Sequence, residues 1–219
     1  MFPDYDRWKN EVIGQTTNDL TYDNFFTPRI QSTAYTQLLH NMQLHYSGAQ
    51  LSVIELPYHA QGGFPHQITR EHVLHNLPRQ NRLLVIELTG AEIREAIEMS
   101  AAVFAVNANG DIDFSLTVFY PELHPFIYDL WGGVDYEIDL HNPVGQRVTK
   151  LTYQGNAIQD DARFTVAVNS YRATGAHQFH MFQKSSIRES KQFIPQLMME
   201  YIEQHRLLTV EIKNTFQMK

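Results

Sequence analysis

Apolar and polar side chains alternate along "RFTVAVNS", Arg163–Ser170, the two-residue period of a half-buried strand. "QLSVIEL" (Gln50–Leu56), "RLLVIEL" and "VDYEIDL" (Val134–Leu140) carry the same signal. "RVTKLTYQGNAI" reads as a hairpin turning at Gln154-Gly155-Asn156. A slower period marks the helices. In "TPRIQSTAYTQLLHNMQLHYSG", Ile30, Ala34, Leu38 and Met42 share a face, Pro28 suits the first turn and Gly48 lies just past the end. A short helix starts at Thr69. In "TGAEIREAIEMSAAVF", Thr89 and Glu92 form a capping box, and Ile93, Ala96, Ile97, Ser100 and Phe104 line one side.

The tail predicts a helix over about Ser186–His205, interrupted or divided at Pro195, then a possible last strand in "LLTVEI". "EVIGQTTNDL" reads as a short extended segment and turn. "PYHAQGGFPHQ" reads as a loop, punctuated by Gly62-Gly63 and Pro65. Helices and strands are interspersed without a strict strand–helix–strand rhythm, which predicts an α+β or mixed-sheet fold. No low-complexity linker divides the chain, so residues 1–219 are expected to form one domain.

Composition narrows the classes. The 219 residues are 43% hydrophobic, 12% aromatic and only 19% charged, enough apolar content for a sizeable core. The formal net charge is −7 and no Lys/Arg run exists, so duplex nucleic acid is not an expected partner. Zero cysteines exclude disulfides, thiolate catalysis and Cys-ligated zinc. No stretch approaches the roughly 20 apolar residues of a membrane span. The start, "MFPDYDRWKNEV", carries no signal-peptide pattern.

Candidate chemistry is sparse. There is no G-x-S-x-G and no phosphate-cradling G-x-x-x-x-G-K-[ST]. Eleven histidines invite a metal reading, and His72 and His75 sit one helical turn apart. Without H-E-x-x-H or acidic partners at ligand spacing, no metal site is expected. Aromatics near turns are the stronger signal, because a flat ring on a loop can hold a nucleobase by stacking. "YDLWGGVDY" places Tyr128, Trp131 and Tyr136 around a glycine pair, and "NSYRATGAHQF" presents Tyr171, Arg172, His177 and Phe179 on a turn.

"TREHVLHNLPRQNRLLVIELTGAEIREAIEMSA", "YDLWGGVDYEIDLHNPVGQRVTKLTYQG" and "FTVAVNSYRATG" resemble, in this order, the C-terminal domain of the 5′-nucleotidase family. The nearest branch is that of the bacterial 2′,3′-cyclic-nucleotide 2′-phosphodiesterase/3′-nucleotidases. The likeness covers about residues 12–182, leaving a helical tail at 186–219.

The resemblance implies a layered α/β/β/α fold with mixed sheets. It implies a domain that grips the nucleoside between two aromatics. An N-terminal metallophosphoesterase domain in the same polypeptide holds two divalent metals in such enzymes. The G-N-H-[DE] motif of that domain is not in this sequence and the lone D-x-H match, Asp139-Leu140-His141, stands without it, so no catalytic residue or cofactor is expected here. The loop toward the nucleoside and its phosphate corresponds to "YHAQGGFPHQ", with His59, Gln61, Gly62 and Gly63. Where relatives carry one stacking aromatic, this chain has Arg79. The other falls after "NSYRATG", where Phe179 matches best and Tyr171 and His177 lie close by. Phe179 and Arg79 are thus expected to face each other across the base. Arg172 is read as ordering the turn through hydrogen bonds rather than contacting phosphate. The family's habit implies an extracellular, cell-wall-associated or periplasmic protein. The leading function is the substrate-recognition domain of a metal-dependent nucleotide phosphoesterase. The alternative is a non-catalytic nucleoside-sensing or protein-interaction module, and related two-domain enzymes act on sugar nucleotides or other esters.

Overall fold

Three threonines start three of the helices. Thr33, Thr69 and Thr89 each accept a hydrogen bond from the backbone N–H three residues on, and each receives a reciprocal side-chain contact. These capping boxes satisfy N–H groups that a helix start leaves without partners. A computed structural model describes residues 3–56, 62–115 and 128–219. From the N-terminus its elements are α1 (Pro3–Lys9), β1 (Val12–Thr16), β2 (Leu20–Tyr22), α2 (Thr27–Ile30), α3 (Ala34–Ser47), β3 (Leu51–Ile54), β4 (Gly62–Phe64) and β5 (Gln67–Thr69). Then come α4 (Arg70–Asn76), β6 (Arg82–Thr89), α5 (Gly90–Ala101), β7 (Phe104–Val106), β8 (Ile112–Phe114), β9 (Leu130–Gly132) and β10 (Asp135–Ile138). The chain closes with β11 (Val148–Tyr153), β12 (Asn156–Ala157), β13 (Arg163–Asn169), β14 (Arg188–Phe193), α6 (Ile194–His205), β15 (Leu207–Leu208) and β16 (Phe216–Met218).

The strands build an α+β fold with mixed sheets. The largest has five strands in the order β14-β6-β13-β3-β9. β13 runs antiparallel to β6 over seven residue pairs and parallel to β3. β3 is buried along its whole length, as expected of a central strand covered on both faces. A four-stranded sheet, β12-β11-β10-β16, contains the expected hairpin, whose Gln154 and Gly155 both have positive φ. That pair of dihedrals suits a two-residue type I′ turn. A three-stranded sheet, β15-β1-β5, and two ribbons, β2-β4 and β7-β8, complete the set. Helix α3 packs on β3, β6 and β13, α5 lies against β6 and β11, and α6 covers β1 and meets α3 and α4. One apolar core runs through these layers.

Three local expectations change. The long helix expected from Thr27 is two helices, because the chain is extended at Gln31 and Thr33 between them. Pro28 belongs to the short α2, and Gly48 ends α3 in the left-handed conformation as expected. Pro195 does not interrupt the tail helix; it stands in the first turn of α6, and the preceding residues form the edge strand β14. A proline's missing N–H is harmless at a helix start, where no intrahelical acceptor exists. Gly62 and Gly63 form a strand rather than a loop, paired with β2. A Cβ on Gly63 would meet the Leu20 carbonyl oxygen at 1.9 Å, and φ is +87° there. Only glycine allows that approach.

Candidate functional site

Strand β13 delivers the chain to a turn that a buried arginine holds together. Asn169 accepts a hydrogen bond from the Arg172 backbone N–H at 2.7 Å. The Arg172 guanidinium is 0% exposed. It donates twice to Asp129 Oδ1, at 3.1 and 2.9 Å, and once to the Ala176 carbonyl at 3.0 Å. Arg172 therefore orders the turn through an acid and a backbone carbonyl, as its sequence suggests. Gly175, at φ +76°, reverses the chain, and His177 and Gln178 follow at φ 58° and 69°. Such dihedrals are uncommon for residues with a Cβ, so this bend is imposed by its surroundings.

The bend sends the two aromatics opposite ways. Phe179 is 1% exposed. Its ring lies under Arg172, whose Cζ is 4.4 Å from the ring centroid, and against Phe182. Phe179 is a core residue, which overturns the expectation that it faces Arg79 across the base. Trp131 is likewise a buried core ring, stacked on Phe182. Tyr171 is half-buried and is the ring that meets Arg79, with Arg79 Cζ 5.8 Å from its centroid. The Tyr171 hydroxyl lies 3.1 Å from His177 Nε2. Arg79, Tyr171 and His177 thus come together, while Phe179 stands behind them.

Arg79 projects from the connection between α4 and β6. Its Nη1 donates to Glu55 Oε1 at 3.1 Å; the Arg79 side chain is 45% exposed and that of Glu55 only 7%. Glu55 follows the apolar strand β3 and lines a cavity with Arg79, Leu77, Asn81 and Asn169. Burial raises the Glu55 carboxyl above its usual range, opposed by Arg172, Arg79, a hydrogen bond from Asn169, and Arg29. Asp129 is fully buried. Burial pushes it up to about 7 against the pull of Arg172, and the nearby Glu55 adds to the rise. Arg29, also buried, donates to the Leu56 carbonyl at 3.0 Å and to the Phe25 carbonyl, and so pins the end of β3.

Among the expected site residues, His59 and Gln61 lie outside the described residues. Gly62 and Gly63 serve the fold: Asn76 accepts from the Gly63 N–H at 2.7 Å and donates to its carbonyl at 2.8 Å. Sequence reading passed over Glu55, Asp129 and Arg29. An acid closing an otherwise apolar run, as in "LSVIEL", or set between buried Tyr128 and Leu130, was the available sign. Buried charges are kept only where partners meet them. Among the described residues, no three His, Asp or Glu are grouped to hold a metal ion. His72 instead serves the cap of α4, accepting from the Thr69 N–H at 3.1 Å.

This architecture is a mixed-sheet α+β domain with a ring-bearing turn after its central strand. Residues 12–184 match the family described as "5′-nucleotidase, C-terminal domain". The chain belongs to that family. It is similar to the 2′,3′-cyclic-nucleotide 2′-phosphodiesterase/3′-nucleotidase of Haemophilus influenzae, 34% identical over 108 residues, which are 43% of this chain and 16% of that protein. It is also similar to the trifunctional nucleotide phosphoesterase protein YfkN of Bacillus subtilis, 26% identical over 151 residues, 62% of this chain and 10% of that one. A solved structure from Staphylococcus aureus, assigned as a 5′-nucleotidase and bound to α-ketoglutarate, superposes with a TM-score of 0.90 at 29% identity. That match covers 98% of this chain and 42% of the other. The chain therefore spans a minor part of the length of each of these relatives.

Proposed function

We propose that this chain is the nucleoside-recognition domain of a metal-dependent nucleotide phosphoesterase, and that it holds a base on Tyr171 with Arg79 opposite. The observation that carries the reading is the facing pair: a half-buried ring on a rigid turn, with a guanidinium over it at 5.8 Å. A guanidinium is planar and stacks on aromatic faces, so it can replace a second ring. His177 beside the Tyr171 hydroxyl, at 3.1 Å, is in reach of the ribose side. The 219 residues act as one domain, joined in the complete enzyme to a catalytic half that supplies the divalent metals and the activated water. The names of its relatives, among them a 2′,3′-cyclic-nucleotide 2′-phosphodiesterase/3′-nucleotidase and a 5′-nucleotidase, support this reading. An extracytoplasmic site of action accompanies this reading. No helix among the described residues is long and apolar enough to cross a membrane.

By itself the chain hydrolyses nothing. Phosphate release from a panel of 2′,3′-cyclic, 3′- and 5′-nucleotides with Mn²⁺, Co²⁺ or Zn²⁺ checks this, and metal-dependent turnover by the pure protein overturns it. Binding should survive without chemistry. One or two stacking contacts of roughly 1–3 kcal/mol each, set against the cost of association, imply dissociation constants of about a millimolar. NMR titration with nucleotides should shift the resonances of Tyr171, Arg79 and His177. If the perturbed residues lie elsewhere, the site is misplaced.

A further inference from the structure

Nothing in the stacking pair chooses between bases, since every base has a face. The groups that meet the edge of a base must choose. Under Arg79 that wall is Glu55. Its carboxylate is 7% exposed, sits at the end of β3 and lines the cavity that Arg79 covers. It stands among cations: Arg79 contacts it at 3.1 Å, and Arg172 and Arg29 act on it through the field. A carboxylate in that setting offers two oxygens that accept hydrogen bonds and no hydrogen to donate.

We infer that Glu55 reads the edge of the base and that this pocket prefers guanine. The inference rests on the reading of Tyr171 and Arg79 as the stacking pair. Guanine presents N1–H and the N2 amino group side by side, two donors for two carboxylate oxygens. Hypoxanthine presents N1–H alone. Adenine presents a donor, N6–H, next to an acceptor, N1, which a second carboxylate oxygen repels. Uracil flanks its one N–H with two carbonyl oxygens. The closed state leaves little room: Arg79 Cζ is 5.8 Å from the Tyr171 centroid, and a base sandwiched at ordinary contact needs about 7 Å between the layers. Arg79 must lift by an ångström or so, which its exposed side chain permits, and in lifting it releases Glu55 to the incoming edge.

The test uses the 219-residue chain and four soluble probes that share one phosphate: GMP, IMP, AMP and UMP as 5′-monophosphates. Affinities come from NMR titration of the wild type, Glu55→Gln, Glu55→Ala and Tyr171→Ala. A good bidentate pair discriminates by roughly tenfold to a hundredfold, so GMP should lead AMP by about that factor, with IMP between them and UMP last. Glu55→Gln exchanges one acceptor for a donor, which matches adenine's N6–H and N1, so the order of GMP and AMP should reverse. Glu55→Ala should level the four. Thermal unfolding of each variant confirms that it is folded. If Tyr171→Ala removes binding but the wild type shows no preference for GMP, or Glu55→Gln leaves the preference in place, the assignment of Glu55 is wrong and the stacking site stands. If no probe binds, or Tyr171→Ala changes nothing, the stacking site fails and this inference falls with it.

Discussion

Arg172 and Arg79 make the same pair of contacts, a carboxylate and an aromatic ring, in opposite surroundings. Arg172 is sealed, with Asp129 at 2.9 Å and its Cζ 4.4 Å from the Phe179 centroid. Arg79 is half in solvent, with Glu55 at 3.1 Å and its Cζ 5.8 Å from the Tyr171 centroid. Burial separates a structural use of the motif from the proposed binding use. In the sealed copy three guanidinium N–H groups have fixed acceptors, and removing either partner strands a charge in the core. In the open copy Arg79 reaches water and can move at small cost, while Glu55 stays mostly buried. The first holds the turn still, and the second leaves one side of the pocket adjustable. The proposed recognition site needs both, since a base would have to meet a rigid face yet be admitted and released.

The comparison predicts large effects on the sealed side. Phe179→Ala removes a buried ring and should cost about 3–5 kcal/mol of stability, and Arg172→Met should cost about as much by leaving Asp129 unpaired. Urea unfolding measures both; losses under 1 kcal/mol would mean that this region is not the buttress described. Tyr171→Ala should act on binding instead, weakening nucleotides by the roughly 1–3 kcal/mol of one stacking contact with little change in the unfolding midpoint. An unchanged affinity in the titration would move the base elsewhere.

The pH dependence sharpens the contrast. Asp129 is pushed up to about 7 in the folded protein from an ordinary value of 3.8. The folded state therefore binds this proton over a range where the unfolded state has released it. Stability attributable to Asp129 should fall as pH rises from about 4 to about 7 and level off above that. His40, buried and held at about 3, works the other way, its contribution being lost as pH falls from about 6.5 toward 3. The difference between wild type and Asp129→Asn isolates the first effect, because His40 is present in both. A difference curve that rises over that window would contradict the assignment. The smallest effect belongs to Arg79→Met, which should change stability by less than about 1 kcal/mol; a larger loss would erase the distinction between the two arginines.

Much of this protein was legible along the chain because it rests on neighbours. The helix start at Thr69, the box at Thr89, the end of α3 at Gly48, the turn at Gln154-Gly155 and the strand "FTVAVN" are settled by groups within four residues of one another or by side chains alternating across one surface. The family is legible for the same reason, since its marks are short contiguous motifs. The break between α2 and α3 was legible in principle, because Thr33 and Thr36 form a box inside the expected helix. The orientation of the ring-bearing turn was not. Tyr171 and Phe179 are both aromatic, both follow the same strand and are eight residues apart, so no local rule says which faces outward. That choice is made by Arg172 reaching Asp129, 43 residues away in sequence, with Phe179 drawn beneath it. Glu55 is likewise only a polar end to an apolar strand until Arg79, 24 residues on, comes to lie over it. The sequence by itself determined the local elements and the family, whose interactions close over a few residues. Only the tertiary structure decided which ring and which carboxylate the Arg79 guanidinium meets, because those positions depend on burying charges beside partners that the chain brings from far away.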